Sequence, residues 1–147
     1  MKEQIVILDG GGVGYDIEWP NFSVLGSVTR YDQTLAGEAS GRIGEATAVL
    51  TNKTVLTAEV INGAKNIKYI GCMATGFNHV DLEAATSRGI TVTNVPDYSS
   101  AAVAQHVFAL MLELTNQVSL HNRAVQEGDW VKSKYFCFWK QPIIELE

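Results

Sequence analysis

The sequence predicts an α/β protein: a parallel five-stranded sheet with helices on both faces, followed by a long helix and an irregular aromatic tail. Three observations lead there. The chain has 147 residues, the length of one domain, and a domain of that size buries roughly 70% of its unfolded surface, enough for a single core. Hydrophobic residues make up 46% and charged residues 18%, with a mean hydropathy of +0.04. This is too apolar for disorder and slightly apolar even for a globular domain, so some apolar surface is expected to belong to a partner. Lastly, short β-rich runs alternate with segments of helical spacing along the first two thirds of the chain.

Five runs read as strands: Gln4–Leu8, Val24–Tyr31, Ala48–Leu50, Ile67–Ile70 and Ile90–Thr93. Each is compact and apolar, as strands covered on both faces tend to be. Between them, Ala39–Ala46, Thr57–Gly63 and Val80–Arg88 have helical spacing, with Gly63 and Gly89 as helix ends. Such alternation implies parallel strands joined by right-handed crossovers, and a flavodoxin-like strand order is expected over residues 1–96. After Pro96 the pattern changes. Ser99 or Ser100 can cap a long helix reaching about Val125, with Val103, Val107, Leu110, Met111, Leu114 and Val118 on one stripe and Ala104, Phe108 and Leu112 widening it. A helix apolar over so much of its circumference is expected to be buried by more than one neighbour. The tail from Gly128 to Glu147 is aromatic and irregular.

Charge excludes several partners. A net charge of −5 and a pI near 5.1, with no local Lys/Arg cluster, oppose a nucleic-acid backbone or an anionic membrane surface. Cys72 and Cys137 sit in apolar or aromatic company without CxxC spacing. They read as reduced core thiols, with one long-range disulfide as the alternative that two cysteines allow. A strand begins almost at Met1 and carries Glu3 and Asp9, unlike a signal peptide, and the longest apolar stretch, Val107–Leu112, is far too short to span a bilayer. A soluble, cytoplasmic protein is the expectation.

The local motifs are weak taken one at a time. Gly10-Gly11-Gly12-Val13-Gly14 follows the first strand, but the sixth position of a G-x-G-x-x-G frame falls on Tyr15 or Ile17, and no Lys-Ser/Thr pair makes a P-loop. A flexible loop at the carboxyl end of a strand is the better reading. A phospho-receiver would need clustered acids after the first strand and an acceptor Asp after the third, whereas Asp9 stands alone and the third strand runs into Thr51-Asn52-Lys53. His79, His106 and His121 have no metal spacing, and no G-x-S-x-G is present. What remains is positional: in open α/β sheets, ligands bind beyond the carboxyl ends of the strands. Asn52-Lys53, Ala74–Asn78 and Asp97–Ser100 are the loops to watch. Amides around a glycine after a strand can form a concave anion site, and Lys53 would add positive charge. Spacing leaves that reading level with an ordinary surface lysine and a turn glycine.

Several segments taken together are more specific. Ala48–Lys53, Ile67–Ile70 leading into Ala74–Asp81, Arg88–Ile90 through Asn94–Pro96, and Ser100–His106 resemble the D-isomer-specific 2-hydroxyacid dehydrogenases, in particular the glycerate dehydrogenase and hydroxypyruvate reductase branch. Phe136–Trp139 and Pro142–Leu146 are similar to that branch as well. The resemblance covers essentially the whole chain, in order. It implies that residues 1–98 form the N-terminal part of a substrate domain. It further implies that residues 99–147 begin an NAD-binding domain with a dimerisation helix over 99–125, and that the chain stops before the family's G-x-G-x-x-G. The family's catalytic Arg, acid and His lie farther along, so no catalytic residue is carried over. By resemblance, the amides of Thr75 and Gly76 hold the substrate carboxylate near Lys53. Ser99 and Val103 match positions bordering the substrate and the nicotinamide, and Trp139 matches an aromatic residue that reaches toward a partner subunit. The implied enzyme reduces 2-keto acids such as hydroxypyruvate or glyoxylate with NAD(P)H, using NAD or NADP bound by the full-length protein. The alternative is a non-catalytic substrate-domain or dimerisation module.

Overall fold

The structure is a computed structural model that describes residues 3–14, 16 and 18–135. The chain divides into two compact units, Met1–Tyr98 and Ser99–Glu147.

The first unit contains β1 (Glu3–Ile7), β2 (Gly26–Arg30), β3 (Ala48–Thr51), β4 (Tyr69–Cys72) and β5 (Thr91–Thr93). All pair in parallel in the order β2-β1-β3-β4-β5, the expected flavodoxin-like order. Strand limits differ from the apolar runs by a few residues. Val24, read as strand, lies in a 3-10 turn, Phe22–Val24. The register aligns Ile5, Ala48, Tyr69 and Thr91 across the sheet, so that Val6, Val49, Ile70 and Val92 point to the opposite face.

That second set packs under α1 (Ala39–Ile43), α2 (Ala58–Gly63) and α3 (Leu82–Ser87) through Ala39, Ile43, Ile61, Ala84 and Ala85. From β2 onward every crossover carries the chain the same way across the sheet, so right-handedness sends all three α-helices to one face. The β1–β2 connection alone runs the other way. It covers its face with two 3-10 turns, Gly10–Val13 and Phe22–Val24, in place of an α-helix. Two apolar grooves, of about 290 and 450 Å³, remain there between Phe22 and the Leu50–Met73 strip.

The caps are supplied locally. Thr57 Oγ1 accepts from Val60 N at the start of α2, and the Asp81 carboxylate accepts from Ala84 N at the start of α3. Gly89, expected to close α3, follows it with a φ of +68°. Arg88 then donates to the carbonyls of Ile61, Ala64 and Lys65, satisfying the end of α2. Ile61 is fully buried, and truncating it to Ala would cost about 2–5 kcal/mol.

The second unit begins with α4 (Ser100–Asn116), α5 (Val118–Gln126) and α6 (Asp129–Lys132). The single helix expected to about Val125 is therefore two helices. The break is Gln117, at φ +51°, whose amide closes α4 on Glu113 O while the Glu113 carboxylate accepts from Ser119 N at the start of α5. Ser99 takes the N-cap position of α4 without a side-chain capping bond. The expected burial of this helix is not observed. Val103, Val107, Phe108, Leu110 and Leu112 are exposed and Leu114 is 71% exposed; on α4 only Thr115 is buried. The rest of the aromatic tail, from Phe136 on, lies outside the described residues. Among the described residues, no helix is long and apolar enough to cross a membrane.

Candidate functional site

The parallel sheet delivers the ends of β1, β3, β4 and β5 to one edge, and hydrogen bonds lock the loops there to one another. Asp9, two residues past β1, is 8% exposed. Its carboxylate accepts from Asn52 N (2.7 Å), Lys53 N (2.5 Å), Thr54 N (2.7 Å) and Thr54 Oγ1 (3.0 Å). The same loop is tied to the one after β4 by Leu56 N to His79 O at 2.7 Å and Asp81 N to Leu56 O at 3.0 Å. The loop after β4 is tied in turn to the end of β5. Val95 N donates to Ala74 O (3.0 Å), Asn94 Nδ2 to Thr75 O (2.8 Å) and Thr75 Oγ1 to Val95 O (3.1 Å).

Three of the residues singled out in the sequence lie on this edge: Lys53 after β3, and Thr75 and Gly76 after the adjacent β4, all exposed. The amides of Thr75 and Gly76 donate to no acceptor among the described residues. Lys53 is likewise in no salt bridge among them. Gly76 has no left-handed φ, and a Cβ built on it meets nothing within 4 Å. The local fold thus gives no reason for glycine at this position, whereas a ligand approaching the backbone would. Two free amides can hold a carboxylate, and Lys53 follows the neighbouring strand, where it lines a cavity with Thr34, Gly37, Thr54 and Val60. Ser99 and Val103 belong to the second unit, and Trp139 lies outside the described residues.

The glycine run differs from its reading as a flexible loop. It is a close-packed 3-10 turn in which Gly10 N donates to Tyr31 O (2.9 Å) and Gly11 N to Asp32 O (3.0 Å). A Cβ on Gly11 would lie 2.9 Å from Asp32 O, so Gly11 admits the neighbouring backbone, and the amides of Gly10 and Gly11 are already engaged.

Two residues of the edge were not assigned from the sequence. Asp9 gave no signal beyond being an acid at a strand end. His79 directly follows the Ala74–Asn78 loop, and its buried Nε2 has no partner among the described residues. Burial holds its pKa below the ordinary 6.5; Lys53 pushes it the same way and Asp9 opposes both. Away from the edge, Cys72 is buried and its thiol pKa is raised by desolvation, as a core thiol should be. No group of three His, Cys, Asp or Glu among the described residues could hold a metal ion.

The model of the D-isomer specific 2-hydroxyacid dehydrogenase catalytic domain matches residues 15–131. The chain belongs to this family. Within it, the chain is 41% identical over 148 aligned positions to a hydroxypyruvate reductase of Blautia hydrogenotrophica, covering 98% of this chain and 46% of that protein. It is 31% identical to a glycerate dehydrogenase of Methylorubrum extorquens, covering 99% and 46%. Among solved structures, an acyclic imino acid reductase in complex with NADPH and D-Arg superposes with a TM-score of 0.69 at 23% identity, over 85% of this chain and 41% of that one. The chain spans about half the length of the curated relatives it matches.

Proposed function

We propose that this chain is the substrate-binding part of an NAD(P)-dependent oxidoreductase that reduces 2-keto acids of the hydroxypyruvate or glyoxylate type to D-2-hydroxy acids. The observation that carries the reading is the pair of free amides at Thr75 and Gly76 on the same sheet edge as the unpaired Lys53. The names of the hydroxypyruvate reductase and glycerate dehydrogenase relatives support the substrate class. In this reading the amides hold the substrate carboxylate and Lys53 contributes charge, orienting the neighbouring carbonyl for reduction. Ser99 is assigned to the substrate and Val103 to the nicotinamide, on the resemblance. Residues 1–98 act as the N-terminal part of the substrate domain, and residues 99–147 begin the cofactor domain and support a homodimer.

The Gly10–Gly12 turn does not fit a dinucleotide's phosphates: it breaks the fingerprint spacing and its first amides are bonded to Tyr31 and Asp32. NAD or NADP, the hydride it supplies, and the acid that protonates the product oxygen are therefore assigned to the rest of the full-length protein. This chain contributes binding and orientation.

The test is oxidation of NADH and NADPH by the full-length protein with hydroxypyruvate or glyoxylate, followed by absorbance. Turnover is expected, and no turnover with either acid would reject the reading. A second reading, a non-catalytic dimerisation module, is favoured by the exposed apolar face of α4. The intact mass of the native product separates the two.

A further inference from the structure

We infer that Asp9 is a positioning residue for the anion site: its carboxylate gathers the amides of Asn52, Lys53 and Thr54 and thereby sets where the Lys53 ammonium stands, while leaving that ammonium unneutralised. The inference rests on the substrate-binding reading above and deepens it.

Three successive amides turned toward one point make a small anion nest. Here the anion is supplied by the chain itself. Asp9 is anchored by β1, a strand with neighbours on both sides, so the nest is fixed to one of the most constrained elements of the sheet. Four donors converge on that carboxylate: Asn52 N on Oδ1, with Lys53 N, Thr54 N and Thr54 Oγ1 on Oδ2. Asp9 bonds the backbone of the loop and Thr54, and makes no ion pair with Lys53. An acid close in space to the lysine therefore shapes the loop without cancelling its charge. Leu56 and Asp81 then transmit the loop's position to the segment that carries Thr75 and Gly76.

The test is steady-state kinetics of the full-length enzyme with hydroxypyruvate, comparing wild type, Asp9→Asn, Lys53→Ala and the double variant. Asn at position 9 keeps an acceptor but turns an NH2 toward the amides. It should raise KM for hydroxypyruvate on the order of tenfold, with kcat and KM for NADH held within about twofold. In the Lys53→Ala background the same change should leave KM unaltered, because the effect passes through Lys53. An equal rise in both backgrounds, or a lowered Tm with unchanged KM, would mean that Asp9 serves stability alone and would overturn the inference. If Asp9→Asn fails to fold, Thr54→Val removes one donor and is read the same way, with a smaller rise expected in the wild-type background and none in Lys53→Ala. Should Lys53→Ala itself leave KM unchanged, Lys53 leaves the site and the role of Asp9 falls with it, while the amides of Thr75 and Gly76 are tested apart by Gly76→Val; a KM effect of Lys53→Ala without one of Asp9→Asn or Thr54→Val sinks the Asp9 role alone.

Discussion

Replacing Gly76 separates a ligand-contacting backbone from an ordinary turn. A Cβ at this position enters open space and φ is not left-handed, so Gly76→Ala and Gly76→Val should change folding stability by no more than about 0.5 kcal/mol, as at other unremarkable surface positions. Their effect on binding should be far larger. A carboxylate held by the amides of Thr75 and Gly76 receives two charge-assisted hydrogen bonds, each worth about 1.5–3 kcal/mol. A valine side chain standing in front of that pair obstructs both. Losing even the lower estimate twice costs about 3 kcal/mol, or on the order of 100-fold in KM at 1.4 kcal/mol per tenfold. The alanine variant, with a single added methyl, should fall between. The assay is initial rates against hydroxypyruvate and glyoxylate with the full-length enzyme, alongside thermal melts and NADH affinity, both of which should stay at wild-type values. If Gly76→Val folds normally and its kinetics with both acids are unchanged, the loop does not hold the carboxylate.

Lys53→Ala should weaken substrate binding less than Gly76→Val, by about 1–3 kcal/mol, with unchanged NADH affinity; a KM at the wild-type value would remove Lys53 from the site. The 147-residue chain alone should show no dehydrogenase activity and no specific NADH binding, and calorimetry giving micromolar affinity would show that the cofactor site has been misplaced. Self-association is expected through α4, since exposed apolar patches of this kind are seldom left bare. Sedimentation should report dimers that Leu110→Asp with Leu114→Asp converts to monomers, and a wild-type monomer at high concentration would contradict this. His79 has a folded-state pKa below 6.5, so the unfolded state takes up its proton first. Stability linked to it is complete above 6.5 and declines as pH falls through that value toward the folded pKa. Melts across this range should show a shallower decline in His79→Gln than in wild type, and parallel profiles would dismiss the linkage.

The strand order was legible because short apolar runs and helical segments alternate strictly, and parallel strands need crossovers. The lateral distribution of helices was less so. Residues 10–25 contain no helical period, but only the direction of each crossover shows that α1, α2 and α3 share a face and that this irregular connection lines the other. The break at Gln117 has no signature in the apolar spacing, which stays intact on both sides of the capping contact between Glu113 and Ser119. Lys53, Thr75 and Gly76 could be picked out as residues beyond strand ends. Asp9 could not, since its four donors come from a loop more than 40 residues away in the chain and three of them are backbone amides that no residue identity reveals.

The placement of β1 between β2 and β3 also bears on how the first unit is assembled during synthesis. The first of these five strands becomes the seam against which two others zip, and β4 and β5 then join outward, one crossover at a time. Each late pairing closes a short stretch of chain: Ala48 with Tyr69, then Tyr69 with Thr91. Nascent chains can add these units in the order they leave the ribosome, without waiting for distant sequence. Damage is correspondingly unequal. Loss of β5 trims an edge, while loss of the first nine residues removes the seam and, with Asp9, the anchor of the loop that carries Lys53.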